Sequence, residues 1–416
     1  MKILMLPRYF PPEIGAEATL FYELAEGLQK RGNSVKVITN FPWYNLKEIP
    51  AKYRKKYFLK EKTGNIDTLR LRLPAFGPKK LRLAQGHITV PFTTLLAGFF
   101  TEKPDIIYAY SPPLFMGITG WLLGKIKRAP FVLGVQDLHP QCYIDQGVLK
   151  NKVLIWMFRV LEKFCYKHAS LITVHSKGNK DYIAGQKVIK ESKIIVVPNW
   201  VDTDKVLPLS RDNDFSKKYA LNNKFTVGYA GTIGMSQGLP GLIEAARLLK
   251  NEKDIEIVVV GDGIDKKKML EKTAEYGLSN VRFLEMQPNS LYPLVLASFD
   301  ASIVSLNSKV KTPTVPSKIL SIMSAGRAII ASVPLNGDAP ALIKQAECGL
   351  CSDPADIKGF AENILYLFRN RELCRQYGEN GRKYILEHYS LKIALETIEE
   401  LFGFCIASTG KKKPGV

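Results

Sequence analysis

The stretch Val196-Val197-Pro198-Asn199-Trp200-Val201-Asp202 divides the chain. It closes a β-branched run, 193–197, that reads as a buried strand. Pro198 ends that strand because proline has no N–H to give to a ladder. On both sides of it, short apolar runs alternate with segments of helical periodicity. Before it, strands are expected at 2–7, 34–39, 67–73, 106–110, 131–135 and 171–174, with a first helix over 15–31 closed by Gly32. After it, strands are expected at 225–230, 255–260, 281–284, 301–306, 328–332 and 349–351. Helices are expected at 239–250 and 318–325, with two more within 355–388. Alternation of this kind demands a parallel, doubly wound sheet, and here it occurs twice. The expected fold is α/β, with two Rossmann-like doubly wound domains facing each other across a cleft and Pro198-Asn199 as hinge.

The boundaries follow from that reading. Residues 1–198 form an N-terminal domain and 199–388 a second one. A closing segment, 389–405, carries a helix over 391–402 capped by Ser390. The basic end, 406–416, reads as disordered. Residues 41–65 break the rhythm: the segment is basic and aromatic, with Tyr53-Arg54-Lys55-Lys56-Tyr57-Phe58 at its centre. It is long for a loop in a compact domain and is read as functional or mobile.

Charge narrows the partners. The formal net charge is +20. Residues 1–200 hold 31 Lys+Arg against 14 Asp+Glu, so nearly all the excess lies in the first domain. A basic half implies an anionic partner: nucleic acid, an anionic membrane surface or a phosphorylated substrate. The 6 cysteines are scattered, as in a reduced cytosolic chain. Cys348 and Cys351 have no second pair at zinc spacing and read as small core residues. The start reads as a strand, too short for a secretory signal. No apolar run reaches the roughly 18 residues of a membrane span. The run 87–100 follows Lys79-Lys80-Leu81-Arg82, a pairing that suits either a bilayer surface or a buried helix.

Four stretches could carry chemistry. The strand at 225–230 runs into Gly231-Thr232-Ile233-Gly234, with Gln237-Gly238 before the next helix. Glycines between strand and helix let the backbone approach a phosphate, and the helix end offers N–H groups. In Thr312-Pro313-Thr314-Val315-Pro316-Ser317-Lys318, proline and a capping serine open a helix. Lys318 there opposes the helix dipole, which suits either an anion on the helix end or a solvated surface lysine. The strand 131–135 delivers Gln136, Asp137 and His139 at its carboxyl end, where open α/β sheets bind ligands. Asp137 and His139 are candidates for acid/base or orienting work. Pro11-Pro12-Glu13-Ile14-Gly15 forms a further helix start. Asp202-Thr203-Asp204 has the spacing of a metal pair but reads as a cap. No His/Cys/Glu set has metal spacing, so no metal or other cofactor is expected.

In order and spacing, several stretches resemble one family over nearly the whole chain: retaining GT-B glycosyltransferases of the family 4 type, in the branch that builds bacterial surface polysaccharides such as O-antigen and colanic acid. They are Tyr9-Phe10-Pro11-Pro12-Glu13, Ser111-Pro112-Pro113-Leu114-Phe115, Val135-Gln136-Asp137-Leu138, 197–202, Gly228-Tyr229-Ala230-Gly231-Thr232, Gly261-Asp262-Gly263 and Pro316-Ser317-Lys318. The resemblance implies a nucleotide-sugar donor on the second domain and an acceptor on the basic first one. It also implies a last helix that returns to the first domain. Gly15, Gly231, Thr232, Gly234, Gln237 and Gly238 would meet the donor diphosphate, together with Gly261 and Asp262. Glu285, Met286 and Gln287 would hold the base. Ser317, Lys318 and Ser321 would lie at the sugar-phosphate end, and Asp137 and His139 at the reacting sugar. Tyr9, Glu13, Tyr53, Arg54 and Ser111 would serve the acceptor. The sequence also departs from the family. Its usual donor-helix glutamate pair is replaced by Pro313 and Ser321, and Asp338 is the nearest substitute carboxylate.

The function so implied is metal-independent, retaining transfer of a sugar. The donor is a nucleotide diphosphate sugar, UDP-linked and with an N-acetylated amino sugar as one candidate. The acceptor is a polyprenyl-diphosphate saccharide. The work would be done in the cytoplasm, peripherally on the inner face of the plasma membrane, without nucleic acid. The alternatives are a catalytically impaired homologue acting as a partner subunit and a sugar-nucleotide epimerase.

Overall fold

β-branched runs form the strands, and leucine-rich stripes lay the helices against them. The protein is described from a computed structural model, which covers residues 1–13, 15–43, 49–53, 56–73 and 79–410, with backbone alone at 79–84 and 410. Arg54 and the tail 411–416 lie outside the described residues. In chain order the elements are β1 (Lys2–Leu6), α1 (Ala16–Lys30), β2 (Ser34–Asn40), β3 (Phe58–Thr63), β4 (Ile66–Leu71), α2 (Lys79–Phe99), β5 (Ile106–Ser111), α3 (Met116–Lys127) and β6 (Phe131–Val135). Then come α4 (Gln141–Asp145), α5 (Lys152–His168), β7 (Leu171–Val174), α6 (Lys177–Gly185) and β8 (Ile194–Val196). The second series is α7 (Asp214–Lys218), β9 (Phe225–Ala230), α8 (Pro240–Leu248), β10 (Ile255–Val260), α9 (Lys266–Glu275), β11 (Val281–Leu284), α10 (Tyr292–Ala297) and β12 (Ala301–Ser305). It ends with α11 (Ser317–Ser324), β13 (Ala328–Ser332), α12 (Asp338–Gln345), β14 (Gly349–Ser352), α13 (Ile357–Arg369) and α14 (Arg371–His388), and α15 (Leu391–Gly410) closes the chain.

Two units result: Met1–Asn199 with the chain from Leu391 onward, and Trp200–Ser390. In the first, an 8-stranded sheet runs β3-β4-β2-β1-β5-β6-β7-β8. Its pairs are parallel except β3 with β4. Strand order reverses between β1 and β5. The last helix packs on α1: Arg31 Nε donates to Glu399 at 2.5 Å and Asn33 Nδ2 at 2.6 Å. A Cβ on Gly27 would meet Leu395 Cδ1 at 2.6 Å, so the bare glycine lets α15 come close.

In the second unit a 6-stranded sheet runs β11-β10-β9-β12-β13-β14, parallel throughout. Its order reverses between β9 and β12. The period of two sends Val258 and Val260 into a core with Ile319 and Leu320, and Ile257 and Val259 into another with Val227 and Tyr229. Sequence entry and exit are tied together, since Val201 N donates to Tyr389 O at 3.1 Å.

Several expectations need correction. The segment 41–65 is not one loop. Phe58–Thr63 is an antiparallel edge strand joined to β4 by the two-residue turn Gly64-Asn65, with Gly64 at φ 58°. The closing helix runs to Gly410, not 402 or 405, because nothing in 403–409 breaks it and Thr409 Oγ1 folds back onto Cys405 O at 2.9 Å. The helix covering most of 87–100 runs from Lys79 to Phe99 and carries Pro91 inside it. Ser317 does not cap α11: Pro316 holds the cap position and no side chain bonds the helix end. Asp202 Oδ1 accepts from Asp204 N at 3.1 Å and Lys205 N at 3.3 Å, the bonding of a local turn.

Candidate active site

In the second unit the order reverses at β9/β12, the place where ligands of open α/β sheets bind. β9 leads into Gly231 at φ 135°, and Gly231 N donates to Val260 O at 2.8 Å. A Cβ on Gly261 would stand 2.0 Å from Gly231 O, and one on Gly263 2.1 Å from Ile233 O. The two loops therefore lie backbone against backbone, with Ile233 N donating to Asp262 O at 2.9 Å. Asp262 and Gly261 brace the loop from behind, and Asp262 Oδ1 accepts from Gly263 N at 2.8 Å. Beyond Gly234, residues Met235–Gln237 make a single 3-10 turn. Gly238, at φ 59°, lets the chain pass Asn307, whose Cα would be 3.0 Å from an added Cβ. Asn307 N donates to Ser236 O at 2.8 Å and its Nδ2 to Met235 O at 3.2 Å. Asn307 follows β12 and was not singled out from the sequence.

Lys318 enters this loop from the first turn of α11. A Cβ on Gly231 would meet its Cε and Nζ at 2.6 Å, so the missing side chain makes room for the ammonium. Nζ lies 5.3 Å from the Tyr229 ring centroid, and Tyr229 OH donates to Thr232 O at 2.5 Å. No carboxylate among the described residues pairs with Lys318. Burial pushes its ammonium down to about 8. One turn on, Ser321 shares a side-chain hydrogen bond with Tyr292, whose hydroxyl burial pushes up to about 12 against that bond. The arrangement is a half-buried cation, a helix N-terminus and a glycine loop around one space. An anion there would offset both the desolvated charge and the adverse dipole.

The remaining expected donor residues do not all converge. Ser317 is exposed at the same helix end. Glu285, Met286 and Gln287 follow the edge strand β11, two strands from β9 and so about 10 Å away. Lys266 Nζ pairs with Glu285 at 3.3 Å, and Gln287 Nε2 donates to Glu285 O at 2.9 Å. Asp338 opens α12 on the other flank, beyond β13, where its charge helps raise the Tyr389 hydroxyl after burial has done so. A cavity of about 540 Å³ opens at the opposite end of α11, around Gly326, Arg327 and Arg382. Arg382 there donates to Ser324 O, Ser324 Oγ, Val206 O and Thr203 O at 2.9–3.2 Å.

The first unit gathers titratable groups at its own β1/β5 switch point. Arg8 N and Tyr9 N donate to Glu17 Oε1 at 3.0 and 3.3 Å. Burial pushes the Glu17 carboxyl up to about 8, with Arg8 opposing. Gly15 precedes α1, and an added Cβ would touch nothing within 4 Å. Arg8 Nη1 lies 3.4 Å from His87 Nε2, which is 3.1 Å from Tyr143 OH. The Arg8 guanidinium also sits 5.0 Å from the Tyr9 ring. At the end of β6, Asp137 is exposed. Surrounding protein raises its pKa and His175 lowers it, and solvent around so open a carboxylate screens both effects. Gln136 N donates to the buried Ser111 at its carbonyl, 3.0 Å away. Arg8, Glu17, His87 and Tyr143 were missed in the sequence because each belongs to a different segment.

Three more of the expected site residues are buried in the first unit. His139 is buried 4.4 Å from the Tyr143 ring, and burial, His87 and Arg8 push it down to about 3. The lowered pKa favours its neutral form near neutrality. Glu13 is buried, accepting from Phe10 N at 3.3 Å and Trp43 N at 3.1 Å, bonds that hold the loop. Tyr53 is buried too. Its hydroxyl donates to Glu61 at 2.8 Å beside the Arg70–Glu61 ion pair at 2.5 Å.

Among the described residues, no group of three or more His, Cys, Asp or Glu could hold a metal ion, and no helix is long and apolar enough to cross a membrane. Residues 15–200 match the glycosyl transferase 4-like domain, and residues 210–384 match the glycosyl transferases group 1 model. The chain is a GT-B glycosyltransferase. A relative is the putative colanic acid biosynthesis glycosyl transferase WcaI of Escherichia coli K12, 25% identical over 91% of this chain and 96% of its own. Another, from Escherichia coli, is UDP-Gal:alpha-D-GlcNAc-diphosphoundecaprenol alpha-1,3-galactosyltransferase, 24% identical over 72% of this glycosyltransferase and 76% of its own length. The crystal structure of Anabaena HepE with UDP superimposes with a TM-score of 0.73 at 18% identity, covering 97% of this chain and 100% of that one. That similarity supports the fold of this glycosyltransferase.

Proposed function

We propose that the protein moves a sugar, with retention and without a metal, from a UDP-linked donor to a polyprenyl-diphosphate saccharide during cell-surface polysaccharide assembly. The observation that carries this reading is Lys318, a half-buried ammonium without a carboxylate partner among the described residues, set against the Gly231 loop. Negative charge develops on the leaving diphosphate as the bond from C1 to its oxygen breaks. Lys318, the loop amides and the end of α11 are fixed in advance to stabilise it. The acceptor hydroxyl attacks C1 on the same face, and its proton passes to the departing diphosphate oxygen. Asp137, the exposed carboxylate of the first unit, orients the acceptor. The base lies toward Glu285–Gln287. Support for UDP comes from the HepE complex, and support for a lipid-linked acceptor from the named substrate of the galactosyltransferase relative.

The test is a thermal-shift panel of UDP, GDP, ADP and CMP in EDTA, followed by transfer assays with UDP-sugars and a polyprenyl-diphosphate saccharide, the product anomer being read by NMR. A shift with UDP alone and an α-linked product from an α-linked donor are expected, since ligands selective for the folded state raise its melting point. A shift with UDP but no transfer to any acceptor favours the inactive partner-subunit reading. No shift with any nucleotide overturns the donor site.

A further inference from the structure

The described surface of the first unit leaves large apolar side chains exposed on two helices of one layer. On α2, Ile88, Phe92, Leu96 and Phe99 recur at helical spacing, with Phe92 60% exposed and Phe100 just beyond at 89%. On α5, Val153, Trp156, Met157 and Val160 do the same, with Trp156 66% and Met157 54% exposed. Single exposed apolar residues are ordinary, but runs of them on neighbouring helices are not. α3 lies between the two helices and joins them. Thr119 Oγ1 donates to Pro91 O at 3.0 Å, and Lys127 Nζ to Phe99 O at 2.9 Å. Phe115 and Phe158 meet at 6.4 Å, and Trp121 and Phe164 at 5.1 Å.

The charge around this layer is one-sided. Residues 79–168 hold 12 Lys+Arg and 5 Asp+Glu. On α5 the apolar stripe passes directly into exposed Lys163 and Lys167 on the same face, and α3 ends in exposed Lys125 and Arg128. Apolar side chains flanked by long cationic ones suit an interface where hydrocarbon meets anionic headgroups. A second copy of this chain would bring the same positive field to the same face and be repelled.

We propose that the outer face of the α2–α3–α5 layer docks on an anionic bilayer, with Phe92, Phe99, Phe100, Trp156, Met157 and Val160 entering the headgroup boundary. The sequence pointed only to the run 87–100; α5 contributes a second, independent stripe. Docking would hold the enzyme at the surface from which a lipid-linked acceptor is presented, and in that respect it deepens the function proposed above. The test below uses no substrate, so its failure leaves the donor reading standing.

The full chain is mixed with vesicles of phosphatidylcholine alone, or of phosphatidylcholine with phosphatidylglycerol, and followed by flotation. Two variants accompany it: Trp156→Ser/Met157→Ser/Val160→Ser and Phe92→Ser/Phe99→Ser/Phe100→Ser. Each alters exposed positions, and its melting curve and UDP thermal shift should match the parent's. Binding is expected to the anionic vesicles only, to fall roughly tenfold or more in either variant, and to weaken as salt rises from about 0.1 to about 1 M. Equal binding to both vesicle types, or parent-like binding by both variants, overturns the proposal. So does a sedimentation result in which the parent self-associates through this face and the variants are monomers.

Discussion

The ammonium of Lys318 occupies the space that a side chain on Gly231 would fill, at 2.6 Å from the position of the missing Cβ. The lysine and the glycine belong to different elements, and each explains the other. The first consequence is a pH dependence. Burial lowers the folded-state pKa of Lys318 from 10.5 to about 8. An anionic donor prefers the protonated lysine, so donor affinity and kcat/KM should fall as pH rises through about 8. Lys318→Ala should lose that limb and roughly a hundredfold in turnover, as when a fixed donor to a developing anion is removed. A rate–pH profile measured at saturating and limiting donor would check both.

The same shift carries a stability cost with a definite sign. Between about 8 and 10.5 the unfolded chain holds more protons at Lys318 than the folded one, so stability rises with pH across that window. Below it the penalty is constant. Lys318→Met should therefore raise stability at neutral pH, on the order of 1–2 kcal/mol after allowance for solvent, while abolishing the UDP thermal shift. Denaturant melts at neutral pH would show a loss of stability if the lysine already had a resident anion.

Gly231 and Gly261 should separate function from folding. In Gly231→Ala the new Cβ meets only the end of a flexible lysine, though φ 135° adds backbone strain. The expected outcome is a moderately less stable protein with donor binding lost. In Gly261→Ala the Cβ would stand 2.0 Å from Gly231 O, a backbone atom that cannot step aside. That variant should lose several kcal/mol, on the scale of severe core overpacking. Melting temperatures with and without UDP distinguish the two.

The two sheets and the Gly231 loop were legible because period-two burial and strand–loop–helix punctuation are local signals. β9, β10, β11 and β13 fall where their apolar runs do. β3 was not legible, because its partly buried positions are Leu59, Glu61 and Thr63, and Glu61 is made tolerable only by Arg70 from β4. A hydrophobic pattern cannot register a buried ion pair made across strands. His139 and Glu13 show a related limit: the sequence does not reveal that His139 packs against Tyr143 or that Glu13 accepts from the Phe10 and Trp43 amides. Asn307 is conspicuous only once the strand order puts β12 beside β9.

The groups at the β1/β5 switch point should make acid stability depend on histidine. Burial, first, then His87 and Arg8, lower His139 from 6.5 to about 3; burial, then Arg8, lowers His87 to about 4. Both stay neutral in the folded state while the unfolded chain protonates them. Stability is full above about pH 6.5 and is lost as pH falls toward 4. Glu17 acts in the opposite sense: raised from 4.5 to about 8, it costs stability as pH rises across that range. Glu17→Gln should thus stabilise the protein at pH values above about 8 and leave it unchanged well below 4.5. His139→Asn should flatten the acid side. Unfolding free energies across the pH range would decide each separately.

Gln136 and Asn199 exchange two side-chain amide bonds, each 2.8 Å long, and so fasten the end of β6 to the end of the first unit's main segment. Gln136 also bonds the buried Tyr110 hydroxyl and, through its backbone, Ser111. Removing one amide strands its partner in a half-buried setting. Gln136→Leu or Asn199→Leu alone should cost about 1–3 kcal/mol, the penalty of an unsatisfied polar group. The double variant leaves no orphan between the two and should cost less than the sum of the singles by about 1 kcal/mol or more. Strict additivity in a double-mutant cycle would mean that the two amides do not hold each other in solution. The end of β6, with the exposed Asp137 next to Gln136, would then be positioned by Ser111 and Tyr110 alone.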